Sequence, residues 1–180
     1  MKYIYPLLLF VVMILAGCNI TIDTKKDSID TPLYTGRHLN LAVIGEAPSV
    51  REQQVKFSAI TLDELYNSQS LLATNYDAVF IMKEHLSEAA EARYAEVYRT
   101  AGLPFFFIES KKSYIPFILE DVAYEDVKDT GDGLYAIGYV QSAGKLDFWG
   151  TGLYNDKVNS TNIKSAYSRV FETIDNWPVK

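Results

Sequence analysis

The chain has 180 residues, 17 Lys and Arg against 23 Asp and Glu, a formal net charge of −6 and 48% hydrophobic content. That length and composition suit one globular domain with a sizeable core. The acidic balance disfavours nucleic acid and gives the protein surface no charge attraction to anionic lipid. One cysteine and two histidines allow neither a disulfide nor a Cys/His metal cluster, so the domain must stand on its core alone.

Lys2 opens the chain with one positive charge, and Ile4 to Ile14 is almost wholly apolar, broken only by Tyr5 and Pro6. The stretch is too short for a membrane-crossing helix, which needs about 20 residues. Its charged start and small-residue ending have the pattern of an export signal. That ending, Leu15-Ala16-Gly17-Cys18, resembles the signal peptides of the bacterial lipoprotein family, whose motif is Leu, two small residues, then Cys. The resemblance implies diacylglyceryl transfer to the Cys18 sulfur, cleavage between Gly17 and Cys18, and often acylation of the new amine. It covers the first 18 residues only. What it implies is a domain displayed outside the cytoplasm and held to the cell membrane through lipid on Cys18, since two or three acyl chains anchor stably where one does not. Asn19 is not the Asp that, in diderm lipoproteins, tends to signal retention at the inner membrane, so inner and outer membranes both stay open. The expected organisation is a cleaved leader over 1–17, a lipidated flexible tether over 18–38 and a single α/β domain over 39–178.

The tether reading rests on Thr21, Asp23, Thr24, Lys25, Lys26, Asp27, Ser28, Asp30, Thr31 and Pro32, a polar run without sustained period. Leu39 to Gly45 is then a nearly continuous apolar run ending in Gly, which fits a strand buried on both faces. Lys56 to Ile60 is a weaker second strand. Thr61-Leu62-Asp63-Glu64 has the form of a capping box, and Leu62, Leu65, Gln69 and Leu72 follow at helical spacing. Asp77 to Met82 is the third strand. Ser87 is the expected cap of a helix carrying Leu86, Ala90, Tyr94, Val97, Tyr98 and Ala101 on one face, with Gly102 as its stop. Pro104 to Glu109 is the fourth strand, and Tyr114 to Leu119 a short helix with Pro116 in its first turn.

The pattern then changes. Leu134 to Gln141 and Lys145 to Tyr154 flank Ser142-Ala143-Gly144 and read as a hairpin. Its aromatic residues should alternate, with Tyr135 and Tyr139 on one face of their strand, and Phe148 and Tyr154 opposite Trp149 on theirs. Ser160 or Thr161 would cap a final helix with the clearest amphipathic stripe in the chain: Ile163, Ala166, Tyr167, Val170, Phe171, Ile174 and Trp177, stopped by Pro178. Alternating strands and helices imply an α/β fold, a three-layer domain with a mostly parallel, flavodoxin- or Rossmann-like sheet, closed by an antiparallel hairpin and that helix.

In such sheets ligands sit outside the carboxyl ends of the strands where the strand order reverses. With a flavodoxin-like order, the loops there are Gly45 to Arg51 and Lys83 to His85, with Glu109 to Lys112 at the rim. The candidate catalytic residues are Glu46, His85 and Glu109, an imidazole between two carboxylates. The candidate ligand-binding residues are Ser49, Arg51, Lys83, Ser110 and Lys111. No cofactor or metal is implied. A phosphate cradle needs more glycine than Gly45-Glu46-Ala47-Pro48 supplies, a receiver domain needs an Asp where Met82 and Lys83 stand, and a thioredoxin-like role needs Cys-x-x-Cys. Neither Ser49 nor Ser110 has a nucleophile-elbow context. Three functions follow in order: binding of a small ligand or an envelope protein by an anchored domain, a small hydrolase or transferase using Glu46, His85 and Glu109, and an accessory subunit of an envelope complex.

Overall fold

The computed structural model describes residues 27–131 and 133–177. The leader and Cys18 lie outside the described residues. Six strands form one sheet: β1 (Leu39–Ile44), β2 (Val55–Ala59), β3 (Ala78–Ile81), β4 (Phe105–Ile108), β5 (Leu134–Ser142) and β6 (Lys145–Gly152), in the order β2-β1-β3-β4-β5-β6. The first four run parallel, and β5 and β6 are antiparallel to their neighbours. This is the mostly parallel α/β sheet with a terminal hairpin that the alternation of elements implies.

The pleat explains why the central strands read as unbroken apolar runs. In β4, Phe105 and Phe107 face one core while Phe106 and Ile108 face the other. The first core is covered by α1 (Leu62–Asn67), α2 (Gln69–Asn75), α3 (Leu86–Ala89), α4 (Ala92–Thr100) and α5 (Ile115–Ile118). There Phe107 stacks on Phe117 at 3.6 Å between ring centres, and Tyr98 stands edge-on to Phe105 and Phe107. The second core is covered by one helix, α6 (Ser160–Asn176), whose Tyr167 and Phe171 stack on Phe80 at 6.1 and 6.3 Å.

Local chemistry sets most boundaries. The capping box at Thr61 and Glu64 forms with both hydrogen bonds in place. Pro116 sits in the first turn of α5, and Gly102 takes the left-handed conformation (φ 70°) just past α4. The hairpin turns through Ala143 and Gly144, both at positive φ (51° and 77°), as a tight two-residue connection requires.

Four expectations are corrected. The helix from Leu62 to Leu72 is interrupted at Ser68 (φ −113°, ψ 19°), next to Asn67, two residue types that favour non-helical backbone. The helix expected from Ser87 to Ala101 is a 3₁₀ turn at Lys83–His85, then α3 and α4, broken at Glu91 in extended conformation. No Gly or Pro marks that break. Tyr98 compensates it, its hydroxyl donating to the Ala89 carbonyl at 2.8 Å inside the core. Ser87 is therefore no cap, and its hydroxyl donates to Glu125 Oε1 at 2.5 Å. The cap of α6 is Asn159, one residue before Ser160, its side chain accepting from Asn162 N at 2.9 Å.

The fourth correction concerns the tether. From Asp27 to Tyr34 the chain is docked along α6. Ser165 Oγ donates to Ile29 O at 2.9 Å and accepts from Thr31 N at 3.2 Å, while Tyr34 is 2% exposed and packs edge-on to Phe171. The stripe of α6 includes buried Asn162, Ser165 and Ser168, which a search for apolar period passes over. Asn162 and Ser165 bond the backbone of a segment that has too few apolar residues to signal burial on its own, while Ser168 bonds the side chains of Arg51 and Glu52, which reach Thr31 O and Tyr34 N.

Candidate functional site

The sheet order reverses between β1 and β3, since β1 leads leftward to β2 and β3 continues rightward to β4. Their carboxyl ends open into a cleft of about 530 Å³, within the usual range for small-ligand sites. Each wall has a local cause. Gly45 ends β1 at φ 109°, and a Cβ there would lie 2.6 Å from Glu84 Oε1 and 2.8 Å from Met82 Cβ. Only glycine lets the two loops approach this closely. The same Glu84 carboxylate accepts a long hydrogen bond from Glu46 N at 3.4 Å.

Glu109 follows β4 in the left-handed region (φ 56°), a costly conformation for a side chain of this size. Its amide donates to Tyr135 O at 2.6 Å, and its carboxylate receives Lys83 Nζ at 3.2 and 3.4 Å. The Lys83 and Glu109 side chains are 61% and 36% exposed, so the pair is weak, on the order of 0–1 kcal/mol, and can exchange partners.

The fourth wall comes from β5 and α6. The β5–β6 register slips between Leu134 and Ala136, leaving Tyr135 unpaired in a bulge. Tyr135 and Tyr139 therefore face opposite cores, not the same face as strict alternation requires. The bulge brings Tyr135 under α6, where its hydroxyl lies 3.4 Å from that of Tyr167. Burial raises the pKa of both phenols. For Tyr167 the Tyr135 hydrogen bond and the Glu109 charge add to the rise, whereas for Tyr135 the bond to Tyr167 works against it. Both are neutral near pH 7 and act as hydroxyl donors and acceptors, not as phenolate bases. Asn159, Ser160 and Lys164 on the first turns of α6 complete the wall.

Of the residues singled out from sequence, Glu46, Ser49, Lys83 and Glu109 meet in this cleft. His85 does not. The 3₁₀ turn after β3 leaves Lys83 and Glu84 in the cleft and sends His85 to a separate hollow of about 280 Å³ with Thr61, Asp63 and Glu88. Glu46, His85 and Glu109 therefore do not converge. Arg51 is a strut: its guanidinium bonds Asp30, the Thr31 carbonyl at 3.2 Å and Ser168 Oγ at 2.6 Å. Ser110 is buried and closes a local turn, its hydroxyl accepting from Lys112 N at 3.2 Å and donating to Lys112 O at 3.0 Å. Lys111 is exposed away from the cleft, with its carbonyl taken by Thr130 N at 2.9 Å. Among the described residues no group of three or more His, Cys, Asp or Glu is placed to hold a metal ion.

The site residues chosen from sequence left out Tyr135, noted only among the hairpin aromatics, and Tyr167 and the amino-terminal end of α6. One signal was present. A hairpin added antiparallel to the fourth strand starts at the carboxyl end of the sheet and returns the chain there, so the final helix must begin beside the site.

No protein-family model, curated protein or solved structure matches the chain.

Proposed function

We propose that the protein is a lipid-anchored extracytoplasmic binding protein whose cleft takes a small ligand carrying both an ammonium and an oxyanion. The anchor half of this reading is supported by the leader and the Leu15-Ala16-Gly17-Cys18 motif. The binding half is carried by one observation, the exposed Lys83–Glu109 ion pair at the switch-point cleft. A zwitterion offers each member a replacement partner, so binding leaves no charge unpaired. Glu46 and Glu84 favour the ammonium side, while Lys164 and the hydroxyls of Ser49 and Ser160 favour the oxyanion side. Binding is favoured over hydrolysis or group transfer because His85 lines a different hollow and the two phenols are neutral.

The test is thermal denaturation with free amino acids, phosphoethanolamine and neutral sugars as probes. A ligand at one hundred times its Kd adds about 2.7 kcal/mol of stability. The expected result is a raised Tm with one class of zwitterion, abolished in Lys83→Ala and in Glu109→Gln. A response to neutral sugars alone, or one unchanged in both variants, overturns the binding assignment. For the anchor, Cys18→Ser should release the protein or leave it uncut, and membrane retention at mature size overturns it.

A further inference from the structure

We infer that the amino-terminal end of α6, with the segments it clamps, is the face by which the domain lies against the bilayer that carries its anchor; the inference rests on the lipid-anchored reading above. It starts at Asn162, whose side chain is 1% exposed. Its amide is spent on backbone from two segments far apart in sequence. Oδ1 accepts from Ile29 N at 3.0 Å, and Nδ2 donates to Asp27 O and Lys157 O at 2.9 Å and to Tyr154 O at 3.2 Å. Asn159, a wall of the cleft, also donates to Asp27 O at 3.0 Å. The chain is thus pinned beside the cleft at Asp27. From there back to Cys18 the backbone reaches at most about 30 Å when fully extended. A domain of this size is about 40 Å across, so the bilayer cannot meet its opposite end without abandoning the clamp.

Three apolar side chains stand exposed around the clamp, among polar neighbours. Val158 is 76% exposed, Ile29 45% and Tyr154 39%. The neighbouring charges give no net positive charge, with Lys157 alone beside Asp27 and Asp156, all exposed. Contact therefore comes from apolar side chains entering the interface, with the Tyr154 ring suited to its wet boundary, and not from attraction to anionic lipid. The contact is small. It suffices because a short tether holds the patch at millimolar effective concentration near the surface. The cleft then opens on the membrane side.

The experiment uses the full, lipidated protein in phosphatidylcholine vesicles. With Cys18 blocked as a thioether, Val158→Cys supplies the single free thiol for a fluorescent label. Lys145→Cys, beside the hairpin turn at the far end of the sheet, is the comparison. Both positions are exposed, so neither substitution threatens folding. The label at 158 is expected to be quenched several-fold more by nitroxide-bearing lipid than the label at 145, to be shielded from aqueous iodide, and to keep its position as salt is raised. Equal quenching at the two positions, with lipid on Cys18 shown by mass spectrometry, overturns this inference alone. An unmodified Cys18 overturns the anchor and this inference together.

Discussion

Asn162→Ala tests the clamp directly. The substitution removes one acceptor and two N–H groups that serve Asp27, Ile29, Tyr154 and Lys157. Four contacts share three hydrogen-bonding groups, so no more than three bonds count at full strength. At about 1 kcal/mol each the loss is about 3 kcal/mol. Because the four backbone partners belong to exposed residues, water re-satisfies part of what is freed, and the expected cost is about 2 kcal/mol. The docking of 27–34 is weakened more than the sheet. Urea denaturation followed by fluorescence of Trp149 and Trp177 should show a lower midpoint at an unchanged slope. Hydrogen exchange should quicken over 27–34 well beyond the change at β1 or β3. A midpoint within error of the parent, or exchange that rises equally everywhere, refutes the assignment of Asn162 as the clamp.

Gly138→Ala should cost about 1–3 kcal/mol by overpacking, because its Cβ would lie 2.7 Å from Phe106 Cε1 and 2.8 Å from Trp149 Cε3; an unchanged melting temperature counts against this. Tyr94→Phe should stabilise by about 1 kcal/mol, since the buried Tyr94 hydroxyl has no hydrogen-bond partner among the described residues, and any clear loss of stability contradicts that account. Alkaline stability should depend on Tyr34, whose pKa is pushed from 10.0 to about 12, first by burial and then by Asp175. A raised folded-state pKa means the stabilisation is complete below pH 10 and is lost as pH climbs toward 12. Denaturation midpoints over that range should therefore fall less steeply in Tyr34→Phe, and parallel curves would show that Tyr34 is not among the groups responsible.

The fold was legible because its signals are local. The double-sided apolar runs of β1, β3 and β4, the capping box at Thr61 and the amphipathic period of α6 all follow from burial and backbone hydrogen bonding within a few residues. The switch-point position followed too, since strand order, once assumed, fixes which loops meet, and Glu46, Ser49, Lys83 and Glu109 did meet. His85 was misplaced because a single 3₁₀ turn decides which side of the sheet a loop residue reaches, and nothing in Lys83-Glu84-His85 announces that turn. Arg51, Ser110 and Lys111 have the right chemistry in loops of the right region, but Arg51 and Ser110 are spent on holding the chain in place.

By itself the sequence determined the layered α/β architecture, the hairpin and the expectation of an anchored, cysteine-free domain, because periodicity and short motifs are written in neighbouring residues. Tertiary structure alone decided the rest of the site. The bulge at Tyr135 reverses the face of one aromatic residue and builds a wall of the cleft with Tyr167, a residue more than thirty positions away. The polar side chains Asn162 and Ser165, with Ser168 acting through Arg51 and Glu52, turn one face of α6 into a seat for Asp27 to Tyr34. Such contacts depend on which surfaces the completed sheet brings together, and a polar residue awaiting a distant partner looks in sequence like one facing water.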